Sequence, residues 1–170
     1  MGLNRIRARE RRLAAVREAG HIVIARRMGL EIVSAWIAPE AGARTWIGQI
    51  QIKGVREVGE LSRRMVGVAG SVAEHLWLGG WIQDYSPEGL MSECDWHLAG
   101  CVRDKPDDKL MEAAGAVARV LAHGASGWRA LIAETRRLIV SSRRPLSIHP
   151  YQAAPHHRRE RGLGRLIKLG

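Results

Sequence analysis

The sequence predicts a mainly helical α+β domain. Apolar residues recur at three- and four-residue steps over 13–24 and again over 61–76, and a short alternating stretch lies between them. A chain of 170 residues is long enough to bury one sizeable core and too short for two ordinary domains.

The first helix is predicted over 6–28, where Leu13, Val16, Gly20, Val23 and Ile24 share one face and Gly29 ends the run. Residues 31–39, rich in Ile, Val and Trp, read as a strand. Residues 45–52 alternate Trp46, Gly48, Ile50 and Ile52 against Ile47, Gln49 and Gln51, so a second strand follows a turn at 39–42. Leu61, Met65, Val68, Val72 and Leu76 restore the helical period, which gives a second long helix over about 57–78. Residues 80–92 read as a loop, with Ser92 the N-cap of a third helix that carries Asp95 in its first turn. Two more helices are expected over 107–123 and 126–141, and a basic tail, 143–170, carries a possible short helix at 162–169. The domain itself is placed at 18–142, with 1–17 the basic N-terminal part of the first helix.

The formal net charge of +10 is unevenly placed: residues 1–17 contribute +5 and residues 143–170 contribute +6, which leaves the middle near neutral. Basic ends of this kind fit contact with a polyanion. Cys94 and Cys101, seven apart in one expected helix, are too distant for a disulfide and read as reduced thiols. No apolar run of membrane-spanning length and no signal peptide is present, so a cytoplasmic protein is expected. The six Trp residues stand in a chain without Phe, and core filling is the expectation for most of them.

One stretch has the spacing of a metal site. In H-E-x-x-H two histidines four apart on a helix face one zinc, and the glutamate between them acts as general base toward a zinc-bound water. Residues 17–21 read Arg17-Glu18-Ala19-Gly20-His21: the base and the second ligand are present, and the first ligand is Arg.

Three separated motifs, AAVREAGHIVI at 14–24, VAGSVAEHLWLG at 68–79 and SECDWHL at 92–98, resemble in order the peptidase domain of the FtsH-type ATP-dependent zinc metalloproteases. The resemblance implies a zincin-like fold in which Glu18 is the general base, His21 the second zinc ligand and Asp95 the third, while Arg17 matches no functional residue. It also implies zinc as the only cofactor, weakly bound or absent with two ligands left. The family's phosphate-binding G-x-x-x-x-G-K-[ST] loop is missing, so no ATP site is expected.

Cys94 beside Asp95 and His75 beside Glu74, each about 100° around the helix from its neighbour, are marginal substitutes for the lost ligand, and His97, about 200° from Asp95, points elsewhere. Glu74 has two readings, a carboxylate that orients His21 or a solvated charge. Arg17 likewise has two: a bridge to Asp95 or Glu18 in place of the ion, or a side chain snorkelling to water. The function expected is therefore a peptidase-like domain with a degenerate site and little or no hydrolysis, able to bind a peptide or protein partner along an edge strand. An active zinc peptidase with a substituted ligand and a nucleic-acid-binding protein using its basic ends are the alternatives.

Overall fold

A computed structural model describes residues 3–40 and 45–142; the basic tail, its expected short helix and most of the turn between the strands lie outside the described residues. The chain runs α1 (Leu3–Arg27), β1 (Glu31–Pro39), β2 (Trp46–Lys53), α2 (Glu60–Trp77), a short 3-10 turn (Ile82–Asp84), α3 (Glu93–Ala99), α4 (Asp108–Leu121) and α5 (Ser126–Ser141). The α+β expectation is met: the described residues form five helices and one two-stranded sheet.

The sheet is antiparallel, with Ala35 opposite Ile50 and Ile37 opposite Gly48, and a register shift between Ile32 and Ser34 turns Val33 outward. Its inner face lies on α1, and α1 packs between α2 and α5. The core collects Val16, Ile22 and Ile24 from α1, Val66, Val68 and Val72 from α2, Leu110 and Leu121 from α4, and Leu131 and Leu138 from α5, all buried. Each such side chain contributes about 1.5–3 kcal/mol by leaving water. The core reaches back to Ala14, Ala15 and Val16, before the expected boundary at residue 18.

Two small residues set the approach of α1 to α2. A Cβ on Gly20 would stand 2.6 Å from the Ala69 carbonyl oxygen and 2.6 Å from the Ala73 Cβ, so any side chain there pushes the helices apart. That contact holds the 17–21 segment of α1 against the middle of α2.

The helix ends follow the local signals. Ser92 caps α3 in a reciprocal box: its Oγ accepts from Asp95 N at 3.1 Å, and an Asp95 carboxylate oxygen accepts from Ser92 N at 3.1 Å. Gly100 ends α3 in the left-handed conformation, φ +71°. Cys101 therefore lies beyond that end, which corrects the expectation that both cysteines share a helix; both are free thiols. Of the tryptophans only Trp96 is fully buried, and Trp81 is 73% exposed. No helix among the described residues is long and apolar enough to cross a membrane.

Candidate functional site

Arg17, Glu18 and His21 occupy one face of α1 where it meets α2 and α3. Glu74 comes from the last turns of α2, and Asp95 from the first turn of α3, aimed by the capping box. The structure brings all five expected site residues into one cluster. Arg17 Nη2 donates to Asp95 Oδ2 at 2.9 Å, and Nη1 donates to Glu74 Oε2 at 2.8 Å and to the Leu90 carbonyl at 2.8 Å. The bridge from Arg17 to Asp95 is the first of the two sequence readings, and Glu74 joins it. The side chains are 24% exposed for Arg17, 19% for Glu74 and 10% for Asp95, so this network is set into the protein and only grazed by solvent.

Glu74 orients Arg17 and not His21. The imidazole is instead held by the backbone: Nδ1 lies 2.7 Å from the Val66 carbonyl, while Nε2 lies 3.2 Å from Asp95 Oδ1. The carbonyl only accepts, so Nδ1 carries hydrogen. Nε2 faces an ionised carboxylate, which also only accepts, so the arrangement favours the imidazolium form of His21. Burial works against that charge, but the Asp95 carboxylate, by its charge and its hydrogen bond, outweighs it and raises the His21 pKa. Burial likewise opposes the charge on Asp95; the charge and hydrogen bond of His21, then Arg17, prevail and hold its carboxyl well below the usual range. Burial opposes the Arg17 charge too, and Asp95 and Glu74 together raise its pKa.

Glu18 stands apart from this exchange. It is 8% exposed. Among the described residues it makes no hydrogen bond to another side chain, and burial raises its pKa, offset in part by His21. Its carboxyl lies against the backbone of β2, where a Cβ on Gly48 would collide with it. Gly70 on α2 provides the matching space for the imidazole, since a Cβ there would collide with His21 Nε2. Gly70 stood in the VAGSVAEH motif with no role attached; Gly48 and the carbonyls of Val66 and Leu90 have no sequence signal.

Cys94 and His97 are exposed, and the His75 ring nitrogen Nε2 is bonded to the Trp81 carbonyl at 2.8 Å. Among the described residues no third His, Cys, Asp or Glu joins His21 and Asp95 in a group able to hold a metal ion. A catalytic zinc takes three protein ligands. Here His21 Nε2 and Asp95 are bonded to each other, and the side chain at the first-ligand position is a guanidinium without a lone pair. The donor set does not fit the metal that the family resemblance implies.

Arg17, Glu18, His21 and Asp95 line an open groove of ≈ 1660 Å³ between β2 and the segment 89–102. Among the described residues β2 is paired along one edge only, with β1, and Trp36 and Trp46 line the groove from the sheet. No protein-family model matches the chain, and a search of the curated proteins finds no match either.

Proposed function

We propose that this chain is a zincin-like domain of the FtsH peptidase type in which an internal cation, the Arg17 guanidinium, has replaced the metal. In this reading the domain has little or no hydrolytic activity and keeps the groove for a peptide or protein partner. The single observation that carries the reading is the guanidinium bonded at once to Asp95 and Glu74 beside His21. Three sequence motifs distant along the chain supply those residues, and their convergence supports the reading. Glu18 remains next to the cluster, with its proton affinity raised by burial as a general base requires, but with no activated water to act on.

The binding capacity survives this loss, because an unpaired strand edge offers backbone donors and acceptors whatever occupies the floor. The test is zinc uptake by the natural chain and by Arg17→His. The natural chain is expected to hold well under one zinc per chain and to leave unfolded casein intact. Arg17→His completes a His, His, Asp set, so it is expected to take up zinc and to melt at a higher temperature when zinc is added. Stoichiometric zinc in the natural chain, with casein cleavage lost in Glu18→Gln, would replace this reading with that of an active peptidase using a substituted ligand. An Arg17→His chain that folds and takes up no zinc would end the zincin assignment of the site.

A further inference from the structure

Arg63 and Arg64 are neighbours on α2 with opposite circumstances. The Arg64 guanidinium is bonded to Glu60 and Asp107. Arg63 turns the other way and lines the groove, and among the described residues it makes no ion pair and no side-chain hydrogen bond. Its Nε is shut off from solvent with no acceptor. Its guanidinium end lies over Gly100, where a Cβ would collide with Nη2, so the left-handed residue that ends α3 also makes room for this cation. Arg56, exposed in the turn after β2, lines the same groove and also makes no ion pair among the described residues.

The other charges on the groove do not answer these two. Asp95 is engaged by Arg17 and His21, and Glu18 is buried against Gly48. Glu93 is an exposed residue at the start of α3 and is bonded to neither arginine. A half-buried cation with no anion costs stability and is matched best by a desolvated carboxylate that fits the guanidinium fork.

We infer that the groove selects peptides by a carboxylate, which Arg63 binds with Arg56 at the rim. The inference rests on the peptide-binding reading of the groove and adds its substrate class: an extended segment bearing Asp or Glu, or ending in its C-terminal carboxylate near Arg63. Neutral or basic segments pair with the strand edge alone and are held more weakly.

The experiment uses the full chain and three degenerate peptide pools with acetylated N-termini. One carries a fixed central Glu and an amidated C-terminus, one replaces that Glu by Gln, and one combines the Gln with a free C-terminal carboxylate. Binding of the Glu pool, of the free-carboxylate pool, or of both is expected to exceed that of the neutral pool by about tenfold, the size of one charge-assisted contact. Which acidic pool wins separates a side-chain carboxylate from a terminal one.

Arg63→Gln is expected to abolish the preference, read as the ratio of the acidic pools' affinity to that of the neutral pool. Arg56→Gln, a change at an exposed residue that leaves the fold intact, is expected to reduce it about threefold, and it carries the test alone if Arg63→Gln does not fold. Equal binding of all pools, or a preference that survives both substitutions and so belongs to the basic ends of the chain, overturns the inference and leaves the groove as a peptide site. Binding of no pool overturns the peptide-binding reading together with it.

Discussion

Asp95 and Asp107 hold the same kind of post in two parts of the molecule. Each stands at the start of a helix, each makes a hydrogen bond with a backbone N–H there, and each faces an arginine of another helix. Their surroundings differ. The Asp95 side chain is 10% exposed and shares Arg17 with Glu74, itself 19% exposed; the Asp107 side chain is 52% exposed and shares Arg64 with Glu60, 47% exposed. The inner cluster also holds a second cation, His21, where the outer one has Lys109, an exposed side chain bonded to Glu60. An ion pair whose carboxylates stay in water adds little even where the guanidinium, as at Arg64, is 8% exposed, because water solvates the carboxylates when the pair is broken. In the inner cluster water cannot, so losing one member leaves a charge without a partner. Charge balance is therefore compulsory at the groove floor.

Arg17→Ala is the strongest way to break that contrast. It leaves Glu74 without a charged partner and Asp95 with His21 alone, at a cost of about 2–3 kcal/mol. That is less than the roughly 3–5 kcal/mol of a fully buried pair, since the Arg17 side chain is 24% exposed. Urea unfolding at neutral pH measures it. A cost under about 0.5 kcal/mol, that of an ordinary surface change, would mean that the guanidinium serves solvent and not the carboxylates.

The elements of the fold were legible in the sequence to within a few residues, because helical and alternating apolar spacing survive any tertiary detail. The second helix begins at Glu60 and not near 57, since Gly54 and Gly59 keep the preceding turn out of the helix. The convergence of Arg17, His21 and Asp95 was anticipated through the family resemblance; periodicity alone gives no reason to bring residues 17 and 95 together. The partner of Glu74 was not legible, as side-chain reach decides between Arg17 and His21 and spacing does not report it. The Val66 and Leu90 carbonyls were invisible for a more general reason: every residue has a carbonyl, so no letter marks the one that is used. Gly100 was visible as a letter, yet its role in ending α3 and separating the two cysteines was missed.

A pH series separates the two clusters, because both lose stability in acid while the inner one also loses it as the pH rises. The lowered pKa of Asp95 gives stability that is present above the usual carboxyl value of 3.8 and is lost as the pH falls through the folded value. The raised pKa of His21 gives stability that is present below 6.5 and is lost as the pH rises through the folded value. Glu18, raised by burial, favours its proton in the folded state and so adds to the loss above 4.5, while Arg17 stays charged throughout. In the outer cluster the lowered pKa values of Glu60 and Asp107 act only on the acid side. The melting temperature is therefore expected to decline by a few degrees from about pH 6.5 toward alkaline pH, and the decline is expected to shrink in His21→Gln, which carries no titratable ring. A profile that is flat in this range for the natural chain would contradict the imidazolium in the groove floor.

The smallest effect is expected from Asp107→Asn, and it tests whether the outer cluster is as dispensable as its exposure implies. Asn serves as an N-cap about as well as Asp, so the hydrogen bond from Leu110 N, 2.9 Å in the natural chain, is retained. What the substitution removes is the charge opposite Arg64. That guanidinium keeps Glu60, and the lost charge lay at a side chain 52% open to water, so the change in stability should remain below about 0.5 kcal/mol. The same substitution at Asp95 retains an oxygen for Ser92 N but removes the one charge that His21 and Arg17 share. Measured side by side in urea, Asp95→Asn should cost several times more than Asp107→Asn. Equal costs at the two positions would mean that burial of the inner carboxylate does not set its energetic weight, and Arg17 could then no longer be read as a cation held there by charge balance.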